Sequence, residues 1–166
     1  MSTTLKLLEG HLSEIHADLS RPHQFAAERV GFLTAGMHRA GSEVVTLLAS
    51  RWHVVADEDY IENPLVGASI GSGAFRKILQ YGYFNPVCIF HVHRHDHRGR
   101  PEFSDIDVES ACQYVPSFFN VCRDHPHGVI VLSLDSASGF VWMPGNTKPE
   151  CIARFDVIGV PLRRLA

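Results

Sequence analysis

Val87–Asp107 reads VCIFHVHRHDHRGRPEFSDID, and the division of this stretch decides the fold. A short apolar run closes on His91 and His93, and a polar segment leads to Ser104 and Asp107 at the head of an expected helix. Side chains alternate faces along a β-strand, so His91 and His93 point the same way, about 7 Å apart. Two imidazoles and one carboxylate are a usual protein ligand set for catalytic zinc, leaving the fourth tetrahedral position for water. Asp107 is the natural third ligand: with Ser104 as helix N-cap it falls in the first turn, where its carboxylate projects back toward the strand end.

Each part also has a plainer explanation. Ser104-Asp105-Ile106-Asp107 is an S-x-x-D capping box, which by itself accounts for both end residues. His95 and His97 continue the alternation, so the run also reads as an exposed histidine-rich strand end with casual metal affinity. H-x-H directly after a buried-type strand, with S-x-x-D soon after, is much rarer than either half. Two rival histidine patterns fit less well. The metallo-β-lactamase pattern H-x-H-x-D-H would need Asp at position 95, which is His95, and the histidine-triad nucleotide hydrolase pattern is broken by Arg94 and Asp96 at its apolar positions.

With 166 residues, 45% of them hydrophobic, the chain is sized for one domain, residues 1–166, with a proper core. A net charge of -3 argues against a general nucleic-acid binder, whose footprint would be basic. Cys88, Cys112, Cys122 and Cys151 show no C-x-x-C spacing and read as reduced thiols. Lys6 and Glu9 bracket Leu7-Leu8, so no signal-peptide stretch is expected, no run approaches membrane-spanning length, and a cytoplasmic location is the default.

Leu8, Leu12, Ile15 and Leu19 recur at helical spacing and predict an amphipathic first helix ending before Pro22, with His11 and His16 facing solvent. Residues 26–36 read as a turn into a buried strand closed by Gly36. Glu43 to Ser50 and Trp52 to Ala56 follow as two strands or one long bent strand, and Tyr60 to Ser72 is an irregular connection. Ser72 is expected to cap a helix whose buried stripe is Ala74, Phe75, Ile78 and Leu79. A helix from Asp105 presents Val108, Ala111, Cys112 and Val115 and should bend or end at Pro116. Gly128–Leu134 and Gly139–Met143 form a hairpin, and Arg154–Val160 is the last strand. His125-Pro126-His127 is a weaker candidate ligand pair in a turn. The element order predicts a mixed α/β (α+β) domain, one sheet flanked by helices.

Hydrolysis of an amide also needs a group that takes a proton from water and delivers one to the leaving amine. Glu28, Glu43, Glu58, Glu62 and Glu102 are candidates, and spacing does not choose among them.

Glu28-Arg29-Val30-Gly31-Phe32-Leu33-Thr34-Ala35-Gly36, then His91-x-His93, then Ser104-x-x-Asp107, resembles the JAMM motif of the JAB/MPN metalloprotease family. The resemblance spans most of the chain and implies a single MPN-like domain with a curved, mostly antiparallel sheet. It implies that His91, His93 and Asp107 hold one Zn²⁺, that Glu28 activates water, and that Ser104 steadies the oxyanion. It further implies an isopeptidase, similar to stand-alone prokaryotic members that act on a ubiquitin-like protein or its conjugates beside activating and conjugating enzymes, some in antiphage systems. Neither a nucleic-acid nor a membrane partner is implied. Arg94 stands where the family often has proline, and the Arg94–Phe103 spacer is longer than usual, which leaves His95 and His97 competing for the metal. A non-catalytic MPN-type scaffold is the alternative within the family.

Overall fold

The computed structural model describes residues 2–41 and 44–165. Its elements in chain order are β1 (Ser2–Leu8), α1 (Glu9–Leu19), β2 (Val30–Ala40), β3 (Val44–Val54), α2 (Ser72–Phe84), β4 (Cys88–Arg94), α3 (Asp105–Phe118), β5 (His127–Leu132), β6 (Ala137–Trp142), β7 (Glu150–Cys151), β8 (Arg154–Ile158) and β9 (Arg163–Leu165). All the strands join one sheet in the order β7-β6-β5-β4-β2-β3-β1-β8-β9. β1 runs parallel to β3 and β8, and β4 parallel to β5 across the α3 crossover; the other pairs are antiparallel. The sheet curls. The Ile152 amide donates to Gly139 O and the next amide, of Ala153, donates to Thr3 O, so one short segment ties β6 to β1.

The alternation of side chains gives each face its own core. Leu33, Phe90, Val92, Ile130 and Leu132 pack with Leu5, Leu7 and Phe155 and with Leu12, Ile15 and Leu19 of α1. Their sequence neighbours Val30, Phe32, Ile89 and Val129 pack under α2 and α3 through Ala74, Ile78, Ala111, Val115 and Phe118. Helix α1 is further tied to β3 by Asp18, whose Oδ2 accepts from Trp52 Nε1 at 2.9 Å while Oδ1 takes the Arg21 guanidinium. No helix among the described residues is long and apolar enough to cross a membrane.

Several local expectations are corrected. Ser2–Leu8 is a strand, and Leu8 precedes α1 with its side chain 47% exposed, so the helix stripe starts at Leu12. His11 and His16 are part buried rather than solvent-facing. Gly71, not Ser72, occupies the N-cap of α2, and no side chain caps it. Strand β2 runs on past Gly36 to Ala40; of the two readings of the next stretch the single strand is the one found, β3 pairing with β2 around an irregularity at Thr34/Ala35. Pro116 lies inside α3, which continues to Phe118. Proline there removes one bond, to the carbonyl of Cys112 on the exposed side of the helix, and only the last turn follows. Val108 and Cys112 are exposed, and the buried stripe of α3 is Ala111, Val115 and Phe118. The last expected strand stops at Ile158, and β9 adds a short antiparallel partner. Glu43, the expected start of β3, lies outside the described residues.

His127 is structural. It is fully buried, its Nδ1 accepting from the Ile89 amide at 3.0 Å and its Nε2 donating to Cys122 O at 2.9 Å, which fixes the neutral tautomer. Burial pushes its pKa down to about 4, against the partial offset of the Cys122 bond. Its folded pKa lies below the unfolded value, so the unfolded chain takes up a proton that the native chain refuses. Stability is therefore full above about pH 6.5 and falls as pH drops toward 4, by on the order of 3 kcal/mol from this residue. Urea unfolding across that window should show the loss, with a shallower slope in His127→Gln.

Candidate metal centre

Strand β4 sends His91 and His93 to the face covered by α2 and α3, where His91 sits opposite Phe32 and Val129, and His93 opposite Val30 and Val131. His95 lies just beyond the strand on the same side, its amide donating to Leu132 O at 2.9 Å. Above this strand end helix α3 begins with a complete capping box. The Ser104 hydroxyl accepts from the Asp107 amide at 3.2 Å, and Asp107 Oδ2 accepts from the Ser104 amide at 2.8 Å and the Ser104 hydroxyl at 2.7 Å. The carboxylate is thereby fixed at a helix N-terminus, where the partial positive charge of the free amides favours an anion.

One ligand atom each from His93, His95 and Asp107 lies within 4.8 Å of the others. His93 Nε2 is 3.6 Å from Asp107 Oδ2, buried, and without a hydrogen-bond partner. A buried polar nitrogen left unpaired costs about 1–3 kcal/mol, and a cation held between these three donors would remove that cost. Two imidazoles and a carboxylate also match the donor set of open catalytic metal sites. The residues present therefore fit a metal ion.

His91, nominated as a ligand by strand spacing, is not drawn into this group; His95 takes that place. The reason is depth along the strand. Asp107 stands over the end of β4, whereas His91 is one step further in, its ring 5.6 Å from Phe32 and 5.0 Å from Tyr114. Burial, and then His93, push the His91 pKa down to about 3 against the pull of Asp107. Burial works to raise the pKa of Asp107, but His93 and the bonds from Ser104 outweigh it and hold the carboxyl well below the usual range. Burial, followed by the Asp107 charge, raises that of Tyr114.

The residues named by resemblance also converge here. Glu28, His91, His93, His95, Ser104 and Asp107 all line one cavity of about 630 Å³. Glu28 enters just before β2, its amide donating to Gly67 O at 3.0 Å and its side chain lying on Gly67, where an added Cβ would come within 2.7 Å of the carboxyl carbon. Arg29 anchors the next position from a buried site: Nε donates to Arg21 O at 2.8 Å, Nη2 to Pro22 O at 2.9 Å, and Nη1 to Asp57 Oδ1 at 2.8 Å. Glu58, Glu62 and Glu102 are exposed and do not line the cavity, and Glu43 lies outside the described residues. His97 is exposed, with Nδ1 on Arg98 O.

No family model matches the chain, and no curated protein matches it. Among solved structures it is similar to the Trichoplax adhaerens STIL N-terminal domain, at 14% identity and a TM-score of 0.37, over 82% of this chain and 40% of that one. The chain thus spans less than half of that structure's length, and a likeness this distant carries no argument about fold or function.

The geometry separates the two histidine registers. His95→Ala should abolish stoichiometric zinc uptake measured by chelator competition, while His91→Ala should keep it; the reverse pattern would return the ligand role to His91.

Proposed function

We propose that this chain is a zinc-dependent isopeptidase of the JAMM type, with an MPN-like domain, that cleaves after the carboxyl-terminal tail of a ubiquitin-like protein. The observation that carries the proposal is the orphaned, buried Nε2 of His93 set against Asp107 and His95, in a cavity that Glu28 shares. In this reading His93, His95 and Asp107 hold the ion. The H-x-H pair is then His93-x-His95, which shortens by two residues the spacer that looks too long when counted from His91 and His93.

When bound, zinc supplies Lewis acidity and lowers the pKa of water to about 7. The protein's own groups then account for the protons. Glu28 takes one from water as its oxygen adds to the scissile carbonyl carbon; when the carbon–nitrogen bond breaks, Glu28 returns that proton to the leaving amine. Glu28 suits this work because its backbone is pinned on both sides, by Gly67 O and by the Arg29 anchor. The Ser104 hydroxyl, which donates to Asp107 in the structure, turns toward the oxygen on which negative charge develops and stabilises it. Asn63 to Ile70 runs along the cavity, and an extended tail laid beside that segment would be read through its main chain.

Glu28→Gln should retain zinc and lose about 10²–10⁴-fold in cleavage rate, read on a ubiquitin-like protein carrying a carboxyl-terminal extension. Cleavage at the unaltered rate would refute the assignment.

A further inference from the structure

The cavity continues inward past the three proposed ligands. The His91 ring stands 6.2 Å from that of His93 and 5.0 Å from Tyr114 of α3, and Tyr114 faces Phe75 of α2 at 5.4 Å. Three rings from three elements thus pack against one another as one aromatic wall of the cavity, with Val30 of β2 and Val129 of β5 beside them. Phe75, His91 and Tyr114 are only part buried, and all line the cavity, so aromatic surface remains open beside the metal group. Among the described residues the His91 nitrogens and the Tyr114 hydroxyl make no hydrogen bond. This side of the cavity therefore combines apolar surface with two polar heads that no protein group engages, the usual make-up of a small-ligand site.

A glycine beside the scissile bond has no side chain and would leave these rings wet. A planar aromatic side chain would lie against them in the offset or edge-on contacts that aromatic rings favour, and the imidazole and phenol would be left to meet the adjoining backbone. We propose that the cavity wall formed by Phe75, His91 and Tyr114 is a side-chain subsite of this centre, accepting an aromatic or large apolar residue of the substrate next to the scissile amide. The inference rests on the reading of the metal centre given above and deepens it: the substrate tail carries a bulky residue there rather than glycine.

Binding tests the subsite without relying on turnover. Zinc-loaded protein titrated calorimetrically with phenylalanine hydroxamate and with glycine hydroxamate should bind the former at least about tenfold more tightly, as an apolar pocket does for a side chain that fills it. Phe75→Ala, and separately Tyr114→Leu, should each narrow that ratio to below about threefold by opening one wall. Equal affinity of the unaltered protein for the two probes, or binding of neither, overturns the subsite. A clear preference for the phenylalanine probe supports it even if no ubiquitin-like fusion is cleaved, and that combination would count against the isopeptidase reading alone.

Discussion

Asp107 is the constraint on which the candidate centre depends. Its Oδ2 accepts from both the amide and the hydroxyl of Ser104, so the carboxylate cannot swing away without opening the first turn of α3. Burial opposes its charge, and the two Ser104 donors and His93 overcome that opposition. The result is a fixed negative charge over the end of β4. The strand supplies the complementary half: His93 brings a nitrogen that is buried, unpaired and 3.6 Å from that charge. The capping box, which would explain Ser104 and Asp107 with no chemistry at all, is the device that aims the carboxylate.

The same low-dielectric surroundings separate the histidines into different kinds. His127 is buried but has both nitrogens engaged and a fixed tautomer. Burial lowers the pKa of His91, whose ring packs against Phe32 and Tyr114 without a hydrogen bond. His93 has an orphaned nitrogen facing a carboxylate. Among these, the third is the arrangement for which a cation would remove a desolvation penalty, so burial combined with partners points to a site where histidine content alone does not.

Much of this was legible in the sequence, and the misses have physical reasons. Alternation placed His91 and His93 on one face, but a period of two is blind to a shift of two: His93 and His95 satisfy it equally. What distinguishes the pairs is how far along β4 the start of α3 reaches, which is a tertiary fact. Glu28 could not be chosen from five glutamates by spacing, because its approach to the cavity runs through Gly67, some forty residues away in sequence. Strand β1 was missed because Leu8, Leu12, Ile15 and Leu19 make a helical pattern that swallows the preceding apolar residues. Pairing with β3 and β8, strands that come later in the chain, is what makes Ser2–Leu8 extended.

Strand β4 also shows how the two cores bear on one site. Its odd-numbered residues turn His91 and His93 toward α2 and α3, and its even-numbered residues turn Phe90 and Val92 into the opposite core. Arg94 ends the strand on that opposite side. Its guanidinium donates to Ser20 Oγ at 2.6 Å at the end of α1 and to Asp96 Oδ1 at 2.6 Å just past His95. His95 therefore has its own amide on Leu132 O and an ion pair bridging its two chain neighbours. The position of His95, one residue past the strand, is in this way set by its own amide bond and by the partners of Arg94 on α1 and at Asp96.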